Sequence, residues 1–485
     1  MVFSSLIFLC IFLPIVYILH LIIPSIRWKN GLLIVVSLLF YAYGEPVYVL
    51  LMILSTLINY FGARALGAQA SRRKAALAIV VVLNLGMLGI FKYTGFILNS
   101  LNALGGLHIP VPNIELPIGI SFFTFQALSY VIDVYRGNVG VQKNYFKVLL
   151  YISFFPQLIA GPIVKYRDIE LEINERTVTA QESAVGLQRF IFGLSKKVLI
   201  ANTMGLAADH IFGAGAGSIN ILTAWIGAIA YLLQIYYDFS GYSDMAIGLG
   251  RMFGFHFKEN FLHPYAARSI QDFWHKWHVS LSGWFKEYLY IPLGGNRRGR
   301  FRTCLNKIIV FFCTGLWHGA NWTFVLWGLF HGAFLLLEDF IPVLRRLPRA
   351  LSHIYTIIVV AVGFVLFRAE TIAQGGYFIR QMFAGFSIND AGLSLAVQQL
   401  TPWFIIMLAA GIVFMAPVQK QTEKLAALLE EGSEDAGKTK RKQSIFVWKV
   451  RAARIAVAAI CILLLIWCMI RLSTGTYNPF IYFRF

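Results

Sequence analysis

Residues 219–246, INILTAWIGAIAYLLQIYYDFSGYSDMA, decide the fold class of this chain. The stretch opens with an apolar run to residue 237, and a helix that spans a membrane needs ~20 apolar residues. Similar runs recur along the chain and are continuous, unlike the alternating segments of ~10 residues in membrane β-barrels. We predict apolar segments near residues 3–23, 31–43, 47–63, 76–91, 117–133, 146–164, 187–203, 219–237, 305–317, 322–342, 353–367, 401–416 and 455–471.

The composition also indicates a membrane protein. Of the 485 residues, 58% are hydrophobic and 13% are charged, whereas a soluble globular domain is about a quarter charged and roughly 45–50% apolar. These values exclude an ordinary cytosolic enzyme, a disordered chain and a secreted disulfide scaffold. We therefore predict an all-α polytopic integral membrane protein, with residues 1–485 forming a single transmembrane domain of roughly ten to thirteen spans.

The distribution of positive charge predicts the orientation. Lys and Arg number 42 against 23 Asp and Glu, and cytoplasmic loops of membrane proteins collect such cations. No combination of basic and aromatic residues indicates nucleic-acid binding. Loop 64–74 has four basic residues and no acid, so we predict it to be cytoplasmic and the N-terminus to be outside. Loop 417–454, with nine basic and five acidic residues, is predicted to be cytoplasmic, and the aromatic C-terminal tail 472–485 to be outside.

Two apolar segments contain helix-breaking residues. Residues 116–119 read Leu-Pro-Ile-Gly, and residues 159–162 read Ile-Ala-Gly-Pro. Broken helices at membrane depth are tolerated only where protein or a water-filled cavity receives the freed backbone groups. We therefore expect these segments to mark a cavity.

Polar residues are densest between residues 236 and 332. Asp238, Ser240 and Asp244 lie in membrane-like sequence, where ionisable groups are costly and a functional role is the default hypothesis. The alternative is structural, with the two carboxylates paired to Arg side chains or to backbone N–H groups.

The stretch 269–296 is rich in aromatic and basic side chains. His275 and His278 are three residues apart and are expected to share one helix face. Two histidines without a third spaced ligand make a weak zinc signal, so no metal is predicted. The Gly-Gly turn that contains Asn296 is either a cradle for a phosphate or a thioester carrier or a basic cytoplasmic loop.

Another histidine lies between two apolar runs. Residues 314–322 read TGLWHGANW and place His318 between a tryptophan and a glycine. A neutral histidine there accepts a proton from a hydroxyl, and small neighbours let a substrate approach. A buried histidine that is hydrogen-bonded to a neighbouring helix is the alternative, and the residues alone leave both open. His331 is a candidate to support His318 from the same side.

Together these motifs resemble the membrane-bound O-acyltransferase (MBOAT) family over nearly the whole chain. The resemblance extends to the bacterial branch that O-acetylates alginate, peptidoglycan or cellulose. It implies a ring of roughly 11–13 membrane helices with re-entrant segments around a central tunnel. The matching segments are 1–5 (MVFSS), 116–125 (LPIGISFFTF), 132–137 (IDVYRG), 158–162 (LIAGP), 237–244 (YDFSGYSD), 273–296, 316–319 (LWHG) and 477–483 (YNPFIYF).

The resemblance also implies roles for residues. His318, in the Trp-His-Gly motif, corresponds to the catalytic residue, and His278 corresponds to the second motif histidine, which would orient donor or acceptor. No bound cofactor is expected, and acetyl-CoA or another acetyl thioester is the donor substrate. The remaining candidates for substrate or tunnel contacts are Trp317, Asn321, Trp277, Asp238, Ser240, Asp244, His331 and Asn296.

The implied function is O-acetyl transfer at the bacterial cytoplasmic (inner) membrane. An acetyl group would pass from a cytoplasmic thioester across the lipid bilayer towards hydroxyls of an extracytoplasmic polysaccharide, either an alginate-like exopolysaccharide or a cell-wall glycan. An extracytoplasmic SGNH-type acetyltransferase is the expected partner, and the C-terminal tail is one possible contact for it. The competing interpretations are a transporter for an acyl donor or polymer that does no chemistry, and a scaffold for a polysaccharide synthase.

Overall fold

The computed structural model describes residues 1–68, 72–416, 440–475 and 477–481. The described residues form helices and connecting segments, with no strand among them. Four π-helical segments interrupt or extend the α-helices, at Phe8–Phe12, Gly89–Tyr93, Lys196–Ala201 and Lys286–Tyr290. The α-helices are Leu13–Ile22, Ile26–Ala42, Tyr48–Ala68, Arg73–Leu88, Thr94–Gly105, Ile120–Arg136, Tyr145–Ser153, Phe155–Leu158, Tyr166–Asn174, Ala180–Ser195, Asn202–Phe212, Ile221–Met252, Ile270–Lys276, Val279–Phe285, Arg300–His318, Trp322–Phe340, Arg349–Arg368, Ile372–Ala384, Asp390–Gln399, Pro402–Met415 and Lys440–Thr474.

The predicted all-α membrane architecture is confirmed, but fewer helices than expected are complete spans. Among the described residues, seven helices are long and apolar enough to cross a membrane, or up to eight if the bent pair Asp390–Gln399 and Pro402–Met415 is one span. The number falls below the predicted 11–13 because several apolar runs fold as short or broken helices. The run 146–164, for example, divides at Phe154 into Tyr145–Ser153 and Phe155–Leu158.

The most buried pair of helices is held together by glycines. In the helix Ala180–Ser195, Gly186 and Gly193 face Gly248 and Gly241 of the helix Ile221–Met252. A Cβ atom added to Gly193 would lie 2.5 Å from the Gly241 carbonyl oxygen, and one added to Gly248 would lie 2.5 Å from that of Gly186. The residue numbers rise along one helix and fall along the other, so the pair is antiparallel. Within a membrane, small residues allow the close backbone approach that drives such packing.

Basic side chains cluster at one end of the molecule. Arg73 donates to backbone carbonyls at the end of the helix Ile120–Arg136, whose last side chain donates to the Glu287 carbonyl at 3.1 Å. Glu287 pairs with Arg167 at 2.6 Å, and Asn30 donates to a carbonyl of the helix that contains Arg167. The segment beside Arg73, which follows the loop predicted to be cytoplasmic from its charge, therefore lies at the same end as Asn30. Which side of the membrane this end faces stays a prediction.

Two features near the C-terminus differ from expectation. Residues 417–439 of the predicted loop 417–454 lie outside the described residues, but from Lys440 onward the chain is helical, so residues 440–454 belong to the last helix. The tail reaches the N-terminal segment, where Asn478 donates to the Ser4 carbonyl at 2.7 Å. Phe480 and Ile481 are buried and residues 477–479 are half-buried, so this part of the tail packs against the protein. The suggested contact with a partner stays a prediction.

Substitution of the glycine contacts tests the central helix pair. We expect Gly241→Ala to lower the stability of the detergent-solubilised protein by about 1–3 kcal/mol, because the new methyl group meets backbone that has no room to move. Thermal unfolding measures the effect. The control is Gly86→Ala, a helical glycine with nothing within 4 Å of an added Cβ, which should be neutral or stabilising. Equal effects of the two substitutions would contradict this packing.

Candidate active site

His318 lies at the junction of a tightly packed helical hairpin. It is the last residue of the helix Arg300–His318, and the next helix begins at Trp322. The two helices approach through Gly315 and Gly328, where an added Cβ would overlap backbone oxygens of the opposite helix. Gly319, next to His318, and Gly315, about one turn before it, therefore allow close helix packing. This packing fixes the position of the imidazole.

Aromatic rings surround His318 and connect it to His278. His318 is buried, with ring centroids of Trp317 and Trp327 each at 5.0 Å and Phe367 at 5.3 Å. The Trp317 ring also contacts the His278 ring at 5.8 Å. Both motif histidines therefore contact the same indole ring.

His278 is held in a specific orientation. Its backbone is left-handed, with φ 44°, and its Nδ1 lies 3.1 Å from the Asn260 side-chain oxygen. The amide nitrogen of Asn260 donates to Ser243, so its oxygen is the acceptor and Nδ1 of His278 carries the proton. Nε2 is then left with a lone pair and has no hydrogen-bond partner among the described residues. Burial lowers the pKa of His278 to about 3, so the ring is a neutral acceptor.

The expectation that His275 and His278 share a helix face is wrong. The helix Ile270–Lys276 ends before His278, because Trp277 is extended and His278 is left-handed. His275 is exposed while His278 is fully buried. In the described part of the chain, no group of three His, Cys, Asp or Glu is arranged to hold a metal ion.

The two broken segments border a cavity beside His318, which confirms that prediction. The cavity volume is ≈ 20 Å³, enough for about one water molecule. Gly119, with φ +80°, makes the turn, and its Cα approaches so closely that an added Cβ would lie 2.8 Å from the Leu158 carbonyl oxygen. The lining residues are Lys92, Leu116, Pro117, Gly119, Ile120, Ser121, Phe122, Ile159, Trp317 and His318.

Lys92 is a residue of this cavity that the sequence interpretation missed. Its Nζ donates to the Ser121 hydroxyl at 3.0 Å and to the Trp317 carbonyl at 2.5 Å. The sequence feature that could have identified it is a single lysine inside the long apolar stretch from residue 76 to 104. The apolar segment predicted from the sequence ends at residue 91, so Lys92 lies just beyond it.

A second, larger cavity adjoins the first. It has a volume of ≈ 270 Å³ and lies between the first residues of the chain and the end of the second helix, with Met1, Tyr41 and Glu45 in its wall. Ile159 lines both cavities. The Tyr41 hydroxyl donates to the Ile118 carbonyl at 2.9 Å, which fixes the turn between the two spaces.

The carboxylates of the 237–244 motif have structural partners. Asp244 pairs with Lys196 at 2.6 Å and with Arg189 at 2.9 Å. Asp238 pairs with Lys197 at 2.8 Å and accepts from the backbone N–H of Ile481 at 2.7 Å. The structure thus supports the structural alternative for both, and neither lines the cavity beside His318.

The remaining candidates do not line the cavity. Asn321 caps the helix that begins at Trp322, and Trp277 is a core residue stacked on Phe273. His331 is fully buried, 5.2 Å from the ring of Trp327, and the same indole contacts His318. Ser240 is buried, and Asn296 is exposed on its loop.

Comparison with known proteins agrees with this geometry. Residues 139–369 match the family model described as MBOAT, membrane-bound O-acyltransferase family. The chain is 39% identical to the probable alginate O-acetylase AlgI of Azotobacter vinelandii and 37% identical to that of Pseudomonas aeruginosa, over 100% of each chain. It is 36% identical to the peptidoglycan O-acetyltransferase of Helicobacter pylori, over 77% of this chain and 78% of that one.

The chain belongs to the membrane-bound O-acyltransferase family. It is therefore a multi-pass membrane acyltransferase, and the matched segment contains both His278 and His318. The transporter and scaffold interpretations lose their main support, since an acyltransferase carries out chemistry.

The pair Asp238 and Lys197 yields a stability prediction. Both side chains are at most 4% exposed, and removal of one partner from a buried pair leaves an uncompensated charge. We expect Asp238→Asn to cost about 3–5 kcal/mol in unfolding of the solubilised protein. The double variant Asp238→Asn, Lys197→Met should recover part of that loss, and a double variant less stable than the single one would contradict the pairing.

Proposed function

We propose that this protein transfers an acetyl group from a cytoplasmic thioester to a hydroxyl acceptor on the outer side of the membrane, with His318 as the general base. The observation that carries the proposal is the placement of His318 at a small cavity. It lies there in a chain that resembles alginate and peptidoglycan O-acetylating enzymes over most or all of its length.

The surroundings of His318 suit base catalysis. Burial among aromatic rings disfavours the charged imidazolium, so the neutral ring is available to accept a proton. As the acceptor oxygen attacks the acetyl carbonyl, His318 takes the hydroxyl proton, and it returns that proton to the departing thiolate. His278, fixed by Asn260, orients donor or acceptor through its Nε2 lone pair.

The two cavities support access from opposite directions. The cavity beside His318 holds about one water molecule, so substrates enter only as its walls yield. The ≈ 270 Å³ cavity adjoins the N-terminus, which the charge distribution places outside, and it is the proposed acceptor side. The donor is acetyl-CoA or another acetyl thioester.

The acceptor is an extracytoplasmic polysaccharide, either alginate-like or a cell-wall glycan. These are the polymers named for the relatives of this chain. A cavity of ≈ 270 Å³ admits a single side chain or sugar unit but not a folded polymer. The transfer therefore includes an extracytoplasmic SGNH-type acetyltransferase, which receives the acetyl group on a hydroxyl and passes it to the polymer.

Substitution of His318 by alanine tests its proposed role as the general base. General-base catalysis contributes roughly 10²–10⁴-fold, so His318→Ala should reduce the O-acetyl content of surface polysaccharide to the level of a deletion strain. Acetyl released by mild base is measured in the deletion strain complemented with each variant, at matched abundance in the membrane. His275→Gln, which alters an exposed histidine, is the control and should restore wild-type acetylation. Full restoration by His318→Ala would refute the proposal.

Reconstitution tests the need for the partner. Vesicles that contain this protein alone, supplied with acetyl-CoA and deacetylated polysaccharide, should leave the polymer unacetylated. Addition of the extracytoplasmic fraction of the same cells should start acetylation. Complete acetylation of the polymer by the protein alone would remove the partner from the mechanism.

A further inference from the structure

We propose that Lys92 is a catalytic residue, which stabilises the negative charge that develops on the acetyl oxygen during transfer. The inference rests on the proposed function of His318 and adds a second residue that lines the same cavity. Three observations support it, namely the position of Lys92, its lack of a carboxylate partner and its geometry relative to His318.

Lys92 projects inward from a helical stretch whose side chains are mostly not buried in the protein. The helical stretch Arg73–Gly105 has only 17% of its most apolar window buried, yet Lys92 is 8% exposed. The π-helical segment Gly89–Tyr93 contains it, and such segments occur frequently at functional sites. The Nζ atom also lies 5.9 Å from the centre of the Trp317 ring.

The charge of Lys92 is not neutralised by an acid. Its two hydrogen-bond acceptors, a hydroxyl and a backbone carbonyl, are neutral, and within the described residues it forms no ion pair. Lys196 and Lys197, which lie in another π-helical segment, each pair with an aspartate. A buried ammonium without a counter-ion is costly. If Lys92 served only to hold two neutral oxygens, an uncharged side chain would do so at a lower cost.

The geometry directs this charge to the cavity. An ammonium has three N–H donors, and two of them are used by Ser121 and Trp317. The cavity, which Lys92 lines together with His318, has room for about one water molecule. A space of that size, lined by a base and by an uncompensated cation, matches the site that an oxyanion occupies.

The reaction balances with these two residues. The acceptor hydroxyl oxygen forms a bond to the acetyl carbon, and its proton moves to His318. The carbonyl π electrons move to the oxygen, whose negative charge accepts a hydrogen bond from Lys92. The electrons then return, the carbon–sulfur bond breaks, and the thiolate takes the proton from His318. Lys92 stays protonated throughout.

Two substitutions of Lys92 separate charge from structure. Lys92→Met removes charge and donors, and Lys92→Gln keeps N–H donors for Ser121 and Trp317 without the charge. Removal of one donor to an oxyanion typically lowers kcat about 10²–10³-fold. We expect that loss for Lys92→Met and a loss of about tenfold or more for Lys92→Gln. In both variants the KM for acetyl-CoA should stay near the wild-type value.

The assay uses membrane vesicles of the deletion strain that carry each variant, with acetyl-CoA, the deacetylated polysaccharide and the extracytoplasmic fraction of the same cells. The matched control is Tyr93→Phe, because Tyr93 is the next residue and its hydroxyl donates to the Leu316 carbonyl at 2.8 Å. It should keep the wild-type kcat. Thermal unfolding of each purified variant shows that it is folded.

Several results would overturn the inference. A wild-type kcat for Lys92→Gln would show that Lys92 only ties two segments together, as would an equal loss in Tyr93→Phe. His318→Ala is assayed in parallel to separate the two proposals. If it is inactive while Lys92→Met is fully active, the role of Lys92 fails alone. If His318→Ala is itself fully active, the proposed function fails as well.

Discussion

The structure depends on one constraint, which is that hydrocarbon offers no hydrogen-bond partner to a buried polar group. The chain meets it by pairing its polar groups internally. Asp238 and Lys197 satisfy each other, and they also bind the backbone of the C-terminal tail at Ile481 and Pro479. The tail in turn contacts Ser4, so the two ends of the chain are fastened to the centre of the protein.

This pairing is incomplete in the candidate site. Lys92 has only neutral acceptors, and Nε2 of His278 has none among the described residues. Such groups are retained at a cost in stability, which is typical of sites that bind or transform a substrate. The glycines around His318 offset this loss of stability, because they bring the backbones of the surrounding helices into close, rigid contact.

Hydropathy and motif order predicted the membrane architecture, the family and the cavity at the two broken segments. They did not predict Lys92 or Asn260, because a lysine ends an apolar window and Asn260 lies in a segment without periodicity. The expected face shared by His275 and His278 failed for a related reason. The prediction assumed that the helix continued to His278, but the backbone of His278 is left-handed and the helix ends before it. A left-handed conformation at a residue other than glycine leaves no pattern in the sequence.

The central claim is that an acetyl group crosses the membrane by chemistry at this site and not by transport of an intact donor. Sealed vesicles with acetyl-CoA on the cytoplasmic face and acceptor on the other test it directly. Free thiol on the donor side and acetyl on the acceptor side are measured together. We predict one thiol released per acetyl transferred, with the thiol confined to the donor side. Appearance of intact acetyl-CoA on the acceptor side, without release of thiol, would contradict the account.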